Sequence, residues 1–212
     1  MHTADTKEFI EDSIESSKKL FNFKDIIKEW SGFDVKQADR EYKPIIDKII
    51  NALKSNLKTL SNTVERKYKG RSNELGNFLD NELIKIINTI KNYNADRPQT
   101  SKGGKQSSGY PDIELKAEGK TIYIETKSYQ PKTKTSTLRT FYFKPSEEKN
   151  VKITESCPHI LIGFEVISKG EENKSPFIVK DFTIIDLFDL KVNFKPEFNA
   201  SNPMMYNNCR KL

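Results

Sequence analysis

The chain has 212 residues, the length of one compact domain or of one domain with an appended helical arm, and a tight fit for two full domains. A hydrophobic fraction of 35%, with 13 Phe and 8 Tyr, supports one real core under a surface carrying most of the 31% charged residues, which excludes a disordered chain. The net charge of +6 favours polyanionic partners, and with His2 and His159 as the only histidines a multi-histidine zinc site or a Ser-His-Asp triad has nothing to be built from.

Any catalysis must therefore rest on carboxylates and lysines. Gly103-Gly104-Lys105 lacks the first glycine and the following Ser or Thr of a phosphate-binding loop, so no ATP site is expected. No apolar run approaches the about 18 residues that cross a bilayer, and MHTADTKEFIEDS lacks the apolar stretch of a secretory signal. The expectation is a cytoplasmic protein, not bound to membrane, with Cys157 and Cys209 as free thiols.

Residues 1–70 read as a helical region. Phe9, Ile14, Leu20 and Phe21 lead into a Lys/Glu-rich stretch, and from about Pro44 the residues Ile45, Ile46, Ile49, Ile50, Leu53, Leu57 and Leu60 recur at helical spacing. A second helix is expected from a cap at Ser72 or Asn73 through Leu75, Leu79, Leu83, Ile86, Ile87 and Ile90, ending by Asn94. The stretch 94–111 is polar and rich in Gly and Ser, a loop.

From Pro111 the period changes to two. Ile113 and Leu115 alternate with Asp112, Glu114 and Lys116, and Ile122 and Ile124 with Tyr123, Glu125 and Lys127, around a turn at Glu118-Gly119: a β-hairpin. The run His159 to Ile167 is apolar on both faces, as in a central strand covered on both sides. Phe177–Lys180 and Phe182–Leu190 read as one or two further strands or a short helix. The expected fold is α/β, a central mixed β-sheet flanked by helices over residues 71–212, with the N-terminal helical region of 1–70 serving dimerisation or gripping DNA.

A two-residue turn sets a register in which Leu115 faces Ile122 and Ile113 faces Ile124 on one apolar side. On the other side Asp112 falls opposite Glu125, with Lys127 next along the same strand. Directly opposed carboxylates repel, with Cβ atoms roughly 4.5 to 5.5 Å apart. A hard divalent cation such as Mg²⁺ turns that repulsion into a binding site, and the neighbouring ammonium adds a fixed donor near an attacking water or a phosphate.

Pro111-Asp112, twelve residues, then Glu125-Thr126-Lys127 in an apolar strand resembles the PD-(D/E)xK nuclease superfamily, especially type II restriction endonucleases. Acid-x-Lys alone selects nothing, since it also occurs at Asp5/Lys7, Asp34/Lys36, Glu65/Lys67, Glu114/Lys116, Glu118/Lys120 and Glu172/Lys174; the strand and the paired Pro-Asp single out Glu125. The resemblance implies Asp112 and Glu125 as metal ligands, the Thr126 carbonyl as a further ligand, and Lys127 as the residue that positions water. It also implies an acid from the preceding helix, where Glu82 is preferred to Asp80. The implied activity is Mg²⁺-dependent cleavage of double-stranded DNA at a short specific sequence by a homodimer, with Mn²⁺ able to replace Mg²⁺ and no need for ATP. A structure-specific nuclease with the same hairpin, or a non-catalytic basic DNA-binding module, remains open at this point.

For DNA contacts, the segment Lys132 to Lys144 mixes Lys132, Lys134 and Arg139 with hydroxyls and the aromatic Tyr142, and near the C-terminus Asn199 and Asn202 offer amides suited to adenine. His159, heading an apolar strand, is expected to be structural, and Trp30 a packing anchor.

Overall fold

The structure is a computed structural model that describes residues 3–104, 109–134, 141, 143–144, 151–170 and 175–206. In chain order its helices and strands are α1 (Thr3–Ser17), β1 (Leu20–Asn22), α2 (Phe23–Ser31), β2 (Val35–Lys36), α3 (Lys43–Lys67), α4 (Leu75–Ile87), β3 (Tyr93–Asp96), β4 (Ile113–Ala117), β5 (Lys120–Tyr129), β6 (Cys157–Ser168), β7 (Phe177–Asp186), β8 (Lys191–Asn193) and α5 (Asn202–Tyr206). They fall into two compact units, one of residues 1–22 with 191–212 and one of residues 23–190. No described helix is long and apolar enough to cross a membrane.

The larger unit is built on a mixed sheet in the order β2-β6-β5-β4-β3, with β7 also on β6. β6 lies parallel to β5 and β2 and antiparallel to β7, while β3, β4 and β5 form an antiparallel meander. The expected central strand is thus β6, and the first apolar run after it joins the second as far as Asp186 in the single strand β7. The hairpin register is as expected, Ile113 with Ile124 and Leu115 with Ile122. Both turn residues have positive φ, 55° at Glu118 and 73° at Gly119, the twist a two-residue hairpin needs.

Alternation sorts the sheet into two faces. Ile113, Leu115, Ile122, Ile124, Ile160, Ile162 and Phe164 meet Ile45, Ile49, Leu53, Leu60 and Val64 of α3 and Leu75, Leu79, Leu83 and Ile87 of α4 in one core. α3 starts with Pro44 in its first turn and its apolar stripe is spent on this core, so the boundary expected at residue 70 lies inside the larger unit. On the opposite face Phe23 of α2 meets Tyr110, Phe141, Phe143 and His159 in edge-on ring contacts, with centroids 5.5 to 5.9 Å apart. Trp30 stacks on Phe143, a packing anchor as expected.

The second helix begins differently from its expectation. Ser72–Glu74 form a short 3-10 turn, and neither that turn nor α4 has a side-chain cap. The smaller unit contains the antiparallel pair of β1 with β8, the helices α1 and α5, and an edge-on contact of Phe9 with Phe198.

Candidate active site

β4 starts at Ile113 while β5 runs on to Tyr129, so beyond Ile124 one edge of β5 has no β4 partner. Asp112 fills the start of that gap: its Oδ2 accepts a hydrogen bond from the Thr126 amide at 3.0 Å. Extending the register places Pro111 opposite Thr126, and proline has no N–H to give the Thr126 carbonyl.

Glu125 lies beside Asp112 and is only 3% exposed. Its Oε1 accepts the Lys127 ammonium, and its Oε2 is buried with no hydrogen-bond partner. Burial, and then the charge of Asp112, push its pKa up to about 8 despite Lys127. The sheet thus holds an under-solvated acid next to a second acid.

α4 supplies the third. Leu79 and Leu83 lock the helix onto the sheet, and Asp80, bordering that stripe, is 2% exposed with its Oδ1 unpartnered. Its Oδ2 accepts Arg97 Nη1 at 2.7 Å, yet burial and then Asp112 push its pKa up to about 6. Glu82, the helix acid preferred from the sequence, borders the stripe on the other side and pairs with Lys85 at 2.6 Å. Both residues border the apolar stripe in the sequence, and it is Asp80 that the fold brings beside Arg97 and Asp112.

Two cations that the sequence reading missed complete the cluster. Arg97 Nη1 also reaches the Asp112 carbonyl at 3.3 Å, tying α4 to the start of the hairpin. Lys152, 2% exposed, donates from Nζ to the carbonyls of Gly109 at 2.7 Å and Pro111 at 3.2 Å. Neither carried a sequence signal: Arg97 sits in a polar stretch, and Lys152 stands between Val151 and Ile153, where alternation implies exposure although all three are buried.

Asp80, Asp112 and Glu125 therefore face Arg97, Lys127 and Lys152, three formal charges of each sign. Among the described residues no three His, Cys, Asp or Glu side chains converge into a ready-made ion cage. The donor set nevertheless suits a hard divalent cation. Glu125 Oε2 and Asp80 Oδ1 are buried oxygens lacking partners, and oxygen-only ligation by one or two carboxylates is what Mg²⁺ takes.

Tyr110 and His159 are structural neighbours of this site. The Tyr110 hydroxyl and His159 Nδ1 are 2.7 Å apart, and burial pulls the His159 pKa down to about 3, so the imidazole stays neutral, consistent with the structural role expected of it. Of the residues expected at DNA, Lys132 and Lys134 are exposed on the turn after β5, with Lys134 over the Tyr129 ring. Arg139 and Tyr142 lie outside the described residues. Asn199 and Asn202 are exposed in the smaller unit. Phe141 and Phe143, by contrast, turn inward to the rings around Phe23.

Comparison with known proteins adds two findings. Residues 14–209 match the model of the type II restriction enzyme MjaV family. A curated relative, the type II restriction enzyme MjaV of Methanocaldococcus jannaschii, is 34% identical over 200 residues, covering 87% of this chain and 84% of the relative.

Proposed function

Because this chain belongs to the MjaV family of type II restriction enzymes, we propose that Asp112, Glu125 and Lys127, with Asp80 as the helix acid, form its centre for hydrolysing phosphodiester bonds of double-stranded DNA at a short specific sequence. The observation that carries this reading is the Asp112–Glu125 pair, with a buried Glu125 oxygen left unpartnered beside Lys127. Mg²⁺ is the cofactor, with Mn²⁺ able to replace it, and the Thr126 carbonyl is a further ligand.

A divalent cation held by these oxygens supplies polarisation of a phosphate oxygen and a more acidic water. The protein's own part is to hold the ligands and the proton carriers in place. Asp112 is fixed by the Thr126 amide, and Asp80 by Arg97. Lys127, which donates to Glu125 in this structure, would also be within the site to donate to the attacking water or to a phosphate oxygen, offsetting charge that grows in the transition state. Lys132, Lys134, Arg139 and Tyr142 contact the DNA backbone; Asn199 and Asn202 contact bases.

One centre cuts one strand, so a homodimer serves a double-strand cut at a symmetric site. The smaller unit supports this reading: it exposes Phe9, Ile14, Leu20, Phe194, Phe198 and Met204. Light scattering then gives twice the 24.5 kDa chain mass; a monomer that still cuts both strands in one event speaks against it.

Plasmid digestion with Mg²⁺ tests the activity. Discrete fragments are expected from the unsubstituted protein, and Asp112→Asn, Glu125→Gln and Lys127→Met each lower the rate at least about a thousandfold. Cleavage surviving in all three removes the hairpin from the chemistry.

A further inference from the structure

The stretch 109–112 must present the Asp112 carboxylate to Glu125, a group that repels it. We propose that Lys152 is a positioning residue for Asp112, clamping the backbone ahead of the hairpin so that both carboxylates face one divalent ion. This rests on the metal-site reading above and goes beyond it.

Lys152 Nζ spends its donors on two carbonyls, Gly109 and Pro111, on either side of Tyr110. The Asp112 carbonyl is taken by Arg97, so three of the four carbonyls from 109 to 112 are held by cations. The lysine has a firm mount. The Val151 carbonyl accepts the Ser101 amide at 2.9 Å, the Thr154 amide donates to the Tyr123 hydroxyl at 2.9 Å, and Thr121 Oγ1 donates to Glu155 at 2.7 Å. Segment 151–155 is therefore fastened to β5, the strand that carries Glu125 and Lys127. Through Lys152 that strand fixes Asp112 without using the β4 ladder, which begins only at Ile113. A methylene stem alone would fill the same space without holding either carbonyl.

Two variants, Lys152→Met and Lys152→Arg, test this with Mn²⁺ titrations in the absence of DNA and with cleavage rates at saturating DNA. Folded Lys152→Met should bind Mn²⁺ about tenfold more weakly and cleave about a hundredfold more slowly, with DNA affinity within about threefold of the unsubstituted chain. Lys152→Arg, which keeps the charge and donors, should recover part of both losses; if the Met variant does not fold, Lys152→Gln, shorter and uncharged, takes its place with the same expected losses. Unchanged Mn²⁺ affinity in a folded Lys152→Met, or in the Lys152→Gln that replaces it, overturns the proposal. Failure of the unsubstituted chain to bind Mn²⁺ is a different result: it overturns the metal-site reading and the proposal with it.

Discussion

Glu125 sits where a carboxylate is stable only when compensated: buried, beside Asp112, with one oxygen unpartnered. Asp80 shares the condition more mildly. Both have folded pKa values above the ordinary carboxylate range, about 8 and about 6, so the metal-free fold holds protons that the unfolded chain has already released. The stability these groups allow is complete below about pH 4 and is lost as pH rises through those two values. In a chelating buffer the melting temperature should accordingly fall between about pH 5 and pH 8, and Mg²⁺ should flatten the fall. Glu125→Gln should remove most of it and raise the melting temperature at pH 8 while abolishing cleavage, a trade of activity for stability. A flat profile in chelator contradicts this. At the same scale, Asp80→Asn should lose cleavage at least about a hundredfold, whereas Glu82→Gln should stay within about threefold, since Glu82 pairs with Lys85 of its own helix. The juxtaposition of Asp112, Glu125 and Lys127 was legible because these residues are neighbours in a two-residue period. The burial of Asp80 beside Arg97 was not, because Arg97 approaches from another element.

Among the elements, the hairpin and α4 share the work of holding the site. The register of Ile113 with Ile124 fixes the side on which Asp112 and Glu125 meet, and a one-residue slip would turn them apart. The turn carries a local cost, because Glu118 adopts φ 55°. Its ion pair with Lys48 returns little of that cost at an exposed position. Glu118→Asn should stabilise the fold by up to about 1 kcal/mol by denaturant titration, with cleavage unchanged. Leu83→Ala, which loosens α4 on the sheet, should cost about 2–5 kcal/mol and displace Asp80. Strong periods were read correctly from the sequence: α3, the hairpin and β6. β3 fell across the expected helix end and the loop after it because Tyr93 and Ala95 are its only buried residues, too few to register as alternation. The 3-10 start of α4 left no trace either, since Ser72 and Asn73 read as caps in the sequence while the turn begins after Arg71, without a side-chain cap.

At the scale of the whole molecule, helical pattern and domain boundary proved separable. The helices of residues 1–70 were expected as one arm, yet α2 and α3 pack on opposite faces of the sheet and belong to the larger unit. Only residues 1–22 group apart, together with 191–212, a pairing of chain ends that no local pattern announces. The basic balance that first suggested a polyanionic partner agrees with the family. Inside the centre three acids stand against three cations, and Glu125 keeps its proton to about pH 8 in the metal-free fold, so the local balance follows from these groups rather than from the net +6. The proposed place for a divalent ion is between Asp112 and Glu125. A crystal soaked in Mn²⁺ measures it directly: one anomalous peak is expected within about 2.5 Å of a carboxylate oxygen of each residue. A peak held by other residues, in a crystal whose protein cleaves DNA, would contradict it.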